Sequence, residues 1–307
     1  MEYKNRLKSV VCAFWNGDGC SVDDTEGRKK AIMRATKDLM ARTLSRSAPE
    51  EEKFNDAICK ALLPKIDEWF RMPQDSIDQD VFDEWHGRVC AKILEILRYF
   101  YKNRDGSPVA YGKAQKIVNM TMKGIYCLEG AMAEEREAYF RYCHIALDSF
   151  TLEWFKRAVV EPDKNLVKGK VDSWSTLQDP ETEEYKSGKN CFYTYHKIVA
   201  LIRRHFALHR PFEGLTPLQA EFFIWSEIQL AMAAEALYGQ NIGKEEAVAS
   251  AQQRWNIQWT DAQKTDINKQ FDRCKKEFKL RPLKEKVEFL RTRVDQLCKY
   301  MNVCENT

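Results

Sequence analysis

The stretch Ala110-Tyr111-Gly112-Lys113-Ala114-Gln115-Lys116-Ile117-Val118-Asn119-Met120-Thr121-Met122-Lys123-Gly124-Ile125 decides the fold of this 307-residue chain. It predicts a helix that opens near Tyr111 and Gly112. The residues that repeat at the spacing of one helix face are Ala114, Ile117, Val118, Thr121, Met122 and Ile125. A stripe of this kind indicates a helix that is buried along its length.

Helical periodicity continues on both sides of this stretch. Upstream it predicts a basic helix from Asp24 to about residue 44 and further helices near 51–71 and 80–102, whereas residues 1–25 look mixed, with a turn at 16–19. Downstream it predicts helices at 131–141, from Ser149, at 192–209, at 217–237, from Thr260 and at 287–301. Thr216-Pro217-Leu218-Gln219 is a helix start, with Thr as N-cap and Pro in the first turn. The expected fold class is all-α, a multi-helix orthogonal bundle.

Residues 161–190 are polar and contain two prolines and few apolar positions, so we place the internal boundary there. The expected organisation is a helical domain at 1–160, a polar linker or loop at 161–190, and a helical C-terminal domain at 191–307 that packs on the first. No internal repeat and no low-complexity tract interrupts this order.

Composition limits the classes of function. The net charge of +3 and the pI of about 8.2 permit nucleic-acid binding without requiring it. The ten cysteines form no C-x-x-C pair, and the N-terminus lacks an apolar signal core. We therefore expect reduced thiols and a cytoplasmic protein. No apolar run approaches the length of a membrane span, and no motif for a nucleotide, metal or other cofactor occurs, so we expect none of these.

One arrangement of residues indicates chemistry. The predicted helix 85–101 is followed by the turn Asp105-Gly106-Ser107-Pro108, and the next helix begins with two lysines, Lys113 and Lys116. Further on, Leu147-Asp148-Ser149-Phe150-Thr151-Leu152 places an aspartate at the start of another helix. Over about 65 residues this order resembles the helix-hairpin-helix DNA glycosylases. The resemblance implies a helix-hairpin-helix element within the bundle and a helical C-terminal extension.

The resemblance also implies roles for individual residues. Asp148 would be the catalytic carboxylate, and Lys116, preferred over Lys113 because an apolar run follows it, would be the catalytic lysine of a bifunctional enzyme. The backbone of the hairpin and the following helix start would hold a DNA phosphate, through Ser107, Tyr111, Gly112 and Lys113. The implied function is excision of a damaged or modified base, such as a bulky pyrimidine of phage DNA, from duplex DNA with that base flipped out.

Further residues extend this hypothesis. His144, Trp174 and Tyr195 are candidates for a base pocket, and Arg203 and Arg204 lie in a basic, aromatic-interleaved stretch suited to a nucleic-acid backbone. Glu221 and Glu227 lie within the apolar helix predicted at 217–237. A carboxylate in such a helix either forms an ion pair or has a functional role.

Alternative interpretations stay open. Asp148 is also a favoured helix N-cap, and Lys116 is also a plain surface lysine. His144 could equally have no role in a site, and Trp174 could equally pack against the edge of the core. If these structural interpretations hold, the chain is a non-catalytic helical nucleic-acid-binding or interaction protein. A third hypothesis is a helical protein that binds a small ligand between its two halves.

Overall fold

The computed structural model describes residues 2–39, 44–49, 52–166, 171–178, 193–225 and 228. The fold is all-α, as predicted. Its helices are α1 (Glu2–Phe14), α2 (Thr25–Leu39), α3 (Phe54–Trp69), α4 (Gln79–Phe100), α5 (Tyr111–Tyr126), α6 (Glu137–Arg141), α7 (Ser149–Phe155), α8 (Tyr195–His209) and α9 (217–225). Two short strands, β1 (Leu44–Arg46) and β2 (Tyr101–Asn103), pair antiparallel, with Leu44 opposite Asn103.

Helix α5 lies at the centre of the fold. Every residue of it is buried except Lys116 and Met120, and it packs against both α2 and α4. The apolar stripe of α5 stabilises this position, because each fully buried Ile or Val contributes roughly 1.5–3 kcal/mol. Helices α4 and α5 follow each other through β2 and the turn after it, and the helix-hairpin-helix identity of this unit stays a prediction.

The predicted helices at 51–71, 192–209 and from Ser149 are confirmed as α3, α8 and α7. Those at 24–44 and 80–102 are confirmed as α2 and α4, but their predicted ends were wrong, because Leu44 lies in β1 and Tyr101 and Lys102 lie in β2. Helix α7 continues into a wider π-type turn over Lys156–Val160, and the segment predicted at 131–141 forms a 3₁₀ turn followed by α6. The N-cap signal at Thr216 is also confirmed, because its hydroxyl accepts from the Gln219 N–H at 3.3 Å.

The interpretation of residues 1–25 as mixed was wrong, because Glu2–Phe14 is a helix. Its apolar residues are concentrated at Val10–Phe14, and only Tyr3 and Leu7 precede them, so the helical period is visible over a short stretch only. It is held by distant groups: the Tyr3 ring packs edge-on against Phe212 and Phe223, and the Glu213 carboxylate accepts from the Tyr3 N–H. The expected turn at 16–19 is present, with Asp18 at φ 51°.

The chain divides into two units, Met1–Ile224 and Trp225–Thr307. Almost all of the second lies outside the described residues, as do the helices predicted beyond residue 225, so those helices and the boundary at 161–190 remain predictions. Within the described ranges no helix is both long and apolar enough to cross a membrane. The cysteines seen there as free thiols are Cys12, Cys20, Cys59, Cys90, Cys127 and Cys143.

Candidate functional site

The turn between α4 and α5 is closed by its own hydrogen bonds. The Asn103 N–H donates to the Ser107 carbonyl (3.0 Å) and the Gly106 N–H to the Asn103 carbonyl (2.9 Å). Gly106 has φ +82°, a conformation that glycine adopts without strain. The Asp105 carboxylate accepts from both the N–H and the hydroxyl of Ser107 (3.0 and 2.6 Å), so the Ser107 side chain already has a partner inside the turn.

The start of α5 is covered by the segment 171–178. The Gly112 N–H donates to the Leu177 carbonyl at 2.9 Å, and a Cβ at position 112 would lie 1.8 Å from the Trp174 carbonyl oxygen. Glycine at 112 is therefore required by the close approach of a second backbone. Tyr111 beside it is buried in the core, at 1% exposure. The Gly112 N–H and the Tyr111 ring therefore contact other parts of the protein, whereas the sequence suggested that they face a DNA phosphate.

Lys113 is buried as well. Its ammonium donates to the Asn103 side-chain oxygen (3.0 Å) and to the Ser175 carbonyl (3.3 Å). Burial lowers the pKa of this ammonium, and the negative charge of Asp105 acts in the opposite direction. With two protein oxygens as partners, Lys113 joins the hairpin turn to the segment 171–178 and is not presented to a ligand.

Lys116 lies one helical turn further on and is half-buried. Its ammonium sits 4.5 Å from the centre of the Trp174 ring, which is also half-buried. This is a cation–π contact, worth about 0.5–1 kcal/mol at an exposed site. Of the two lysines that the sequence left as alternatives, Lys116 is therefore the one near solvent.

Asp148 caps the N-terminus of α7. Its Oδ1 atom accepts from the N–H groups of Phe150 (2.9 Å) and Thr151 (3.0 Å), and its own N–H donates to the Thr151 hydroxyl at 2.8 Å. The interpretation of Asp148 as an N-cap is confirmed. The residue is half-buried, and its Oδ2 atom takes part in none of these bonds. One carboxylate oxygen is thus fixed by the helix, and the other makes none of the hydrogen bonds of the cap.

The backbone that leads to Asp148 is held by side chains. Six consecutive polar groups, from the Ile145 carbonyl to the Asp148 N–H, each have a side-chain partner. In chain order the partner atoms are Asn119 Nδ2 (3.1 Å), Glu221 Oε2 (2.8 Å), Thr151 Oγ1 (2.8 Å), Gln115 Oε1 (3.4 Å), Gln115 Nε2 (3.0 Å) and Thr151 Oγ1 (2.8 Å). We call Ile145–Asp148 the aspartate segment. Because it is extended and buried, these groups need partners that no strand provides.

Two of these partners, Gln115 and Asn119, stand on one face of α5, and Lys123 continues the row at the same spacing of four. The Lys123 ammonium forms a buried ion pair with Glu221 at 2.9 Å. It also lies over the ring of Phe222 at 4.7 Å. Burial raises the pKa of Glu221, while the charge of Lys123 and its hydrogen bond lower it. The interpretation of Glu221 as paired is confirmed, and Glu227 lies outside the described residues.

His144 and Tyr195 meet inside the core. The Tyr195 hydroxyl lies 2.7 Å from His144 Nδ1, and His144 Nε2 lies 2.7 Å from the Asp83 carboxylate. The Arg203 guanidinium lies 3.0 Å from the same Nε2. Because a carboxylate only accepts and Asp83 is the nearer group, we assign the proton of the neutral ring to Nε2, so that Nδ1 accepts from Tyr195. Burial lowers the pKa of His144 to about 4, although the hydrogen bond with Asp83 favours the charged form. Both rings are fully enclosed, so they line no open base pocket, and Trp174 lies instead over Lys116.

The two arginines expected to hold DNA differ in position. Arg203 turns inward and binds both oxygens of Asp83, and it also donates to the Tyr142 carbonyl at 3.1 Å. Burial by itself would raise the pKa of Asp83, but hydrogen bonds from His144 and Arg203 and their charges hold it well below the usual range. Arg204 is exposed and keeps its expected access to solvent.

The predicted site residues therefore fall into three groups by their surroundings. Those with access to solvent are Ser107, Asp148, Lys116 with Trp174, and Arg204. Those under the segment 171–178 are Tyr111, Gly112 and Lys113, and those in a buried network are His144, Tyr195 and Arg203. Sequence reasoning missed Asp83, His86, Gln115 and Asn119. The signal for Gln115 and Asn119 was present, because two amides lie four residues apart in a helix that its apolar stripe predicts to be buried, and buried amides need hydrogen-bond partners.

Comparison with known proteins adds no relative to this description. The chain matches no model of a known protein family, no curated protein and no solved structure.

Proposed function

We propose that the chain is a DNA glycosylase in which Asp148 is the catalytic carboxylate. The observation that carries the proposal is the placement of Asp148. A half-buried carboxylate stands at the head of a helix, one oxygen fixed by two N–H groups and the other outside that cap. The Gln115–Leu147 bonds tie it to α5, the helix that follows the hairpin turn.

This geometry suits the chemistry of base excision. As the bond from sugar to base breaks, positive charge develops on the deoxyribose, and a fixed carboxylate stabilises that charge or activates an attacking water. In a bifunctional enzyme the Lys116 amine attacks C1′ as the base leaves, and a Schiff base follows. The contact with Trp174 restrains Lys116 near the start of α5.

DNA would be held at groups that remain accessible. Ser107 marks the turn, and Arg204 supplies an exposed charge for a phosphate. Tyr111, Gly112 and Lys113 would instead support the segment 171–178, which carries Trp174. We expect action in the cytoplasm on a damaged or modified base, with modified phage DNA as one substrate class to test.

The test is an excision assay on duplex and single-stranded DNAs that carry normal, damaged or phage-type modified bases, with abasic sites revealed by alkaline cleavage. Asp148→Asn is the decisive variant, because asparagine is an equally good N-cap but lacks the charge. We expect excision by the wild type, loss of excision in Asp148→Asn, and unchanged DNA binding. Excision at the wild-type rate by Asp148→Asn would refute the role of Asp148. Borohydride trapping with Lys116→Ala as control tests for the covalent adduct.

A second candidate function is non-catalytic nucleic-acid binding. It is favoured by the structural use of the same residues, since Asp148 caps α7 and Gly112 contacts Leu177. This alternative predicts salt-sensitive DNA binding without abasic sites on any substrate. It also predicts that Asp148→Asn behaves like the wild type in every assay.

A further inference from the structure

Glu221 joins two parts of the molecule that lie 75 residues apart in the chain. Its Oε2 atom accepts from the Ala146 N–H at 2.8 Å, and its Oε1 atom binds the Lys123 ammonium at 2.9 Å. The side chains of Glu221 and Lys123 are 2% and 3% exposed. We propose that Glu221 is a positioning residue for Asp148, acting through the Ala146 N–H. The proposal rests on the proposed function only in assigning Asp148 to the reaction.

The helix face around Glu221 is otherwise apolar. The helix that carries Glu221 already buries Leu218, Ala220 and Phe222. A buried ion pair carries a desolvation cost, and replacing both charges by apolar residues is often neutral or stabilising. What a hydrophobic pair would not supply is an acceptor for the Ala146 N–H, which has no strand neighbour. A carboxylate makes that bond stronger than a neutral acceptor does.

The bond reaches Asp148 through one further residue. Ala146, held by Glu221 at its N–H, is held at its carbonyl by the Thr151 hydroxyl. The same hydroxyl accepts from the Asp148 N–H, and the Thr151 N–H donates to the Asp148 carboxylate. A displacement of Ala146 is therefore passed to Asp148 at both its backbone and its side chain. A reacting group must stay within about 0.5 Å of its productive position, so loss of this support affects turnover before it affects binding.

The matched pair of variants is Lys123→Met/Glu221→Gln and Lys123→Met/Glu221→Met. Both remove the two charges, so neither leaves a buried ion without a partner. Glutamine retains an oxygen for the Ala146 N–H, while methionine of similar shape does not. Methionine at 123 suits the neighbouring Phe14 and Phe222 rings. Thr151→Val, which breaks the same connection without touching the ion pair, carries the test if either double variant fails to fold.

Two readouts are measured on the full-length protein. The first is amide hydrogen exchange at Ala146, Phe150 and Thr151, which needs no activity. We expect these three amides to exchange about tenfold or more faster in Lys123→Met/Glu221→Met than in Lys123→Met/Glu221→Gln, while the amides of α4 exchange at the same rate in both. The second is steady-state excision, where kcat should fall by about tenfold or more while KM and the DNA Kd stay within about twofold.

Equal exchange at the three amides in both double variants would overturn the proposal, as would faster exchange without a lower kcat. Absence of excision by the wild type would refute the proposed function alone. Exchange at Phe150 and Thr151, which donate to the Asp148 carboxylate, would then still decide whether Glu221 positions that carboxylate.

Discussion

The Tyr195 hydroxyl donates to Nδ1 of His144 across 2.7 Å, in a part of the core where both side chains are fully enclosed. The ring nitrogen on the far side of His144 donates to Asp83. Burial keeps His144 neutral, because the charged ring would lose its hydration there. These hydrogen bonds link α4, the residue before the aspartate segment and α8, so protonation of His144 has consequences for stability.

We predict that the protein loses stability as the pH falls from about 6.5 to about 4. The pKa of His144 is lowered from 6.5 to about 4, so in this window the unfolded chain binds a proton that the folded protein does not. The loss is on the order of 3 kcal/mol, and burial of His86, whose pKa is also lowered, adds to it. Urea unfolding at several pH values should show that the free energy of unfolding depends less steeply on pH in His144→Asn than in the wild type.

An NMR titration of the folded protein provides the direct check. A midpoint near 6.5 for the His144 ring would contradict this assignment.

Asp83→Asn should destabilise the fold by about 1–3 kcal/mol. The change removes the charge that binds Arg203 and weakens the bond from His144, both in a partly desolvated place. Its neighbour on α4 offers the control: Glu84 pairs with Arg88 on the helix surface, so Glu84→Gln should change stability by less than about 0.5 kcal/mol. Equal effects of the two variants in chemical denaturation would show that the Asp83 contacts are unimportant.

Gly112→Ala should destabilise the fold by roughly 1–3 kcal/mol or more, because the added methyl group meets the Trp174 carbonyl oxygen at 1.8 Å and displaces the segment 171–178. Gly87→Ala in α4 is the matched control, since a Cβ there has nothing within 4 Å. Alanine is the better helix former, so Gly87→Ala should stabilise by about 0.5–1 kcal/mol. Thermal unfolding measures both, and stabilisation by Gly112→Ala would disprove the close approach.

Asp148→Ala and Asp148→Asn should separate the cap from the charge. Alanine removes the acceptor for the Phe150 and Thr151 N–H groups and should cost about 1 kcal/mol of unfolding free energy. Asparagine keeps that acceptor, so its stability should stay within about 0.5 kcal/mol of the wild type. Denaturant unfolding gives both values. A large loss in Asp148→Asn would mean that its effect on excision reflects folding and not chemistry.

The sequence by itself determined the class of fold and the positions of most described helices. Periodicity over 54–69, 79–100 and 111–126 depends on residues three and four apart, so it can be read locally. The caps at Asp148 and Thr216 were equally local, because a cap binds N–H groups only two or three residues away. Helix α1 was missed since its stabilising contacts come from residues 212–223.

Tertiary structure decided which polar residues face solvent and which support the site. Lys113 and Lys116 look alike in the sequence, yet the segment near Trp174 buries one and leaves the other accessible. Arg203 and Arg204 are adjacent, yet Asp83 from α4 draws only the first inward. The aspartate segment depends on Glu221, which lies 75 residues away in the chain. Such partners are chosen by how helices pack, and helix packing is a property of the whole fold that no local spacing encodes.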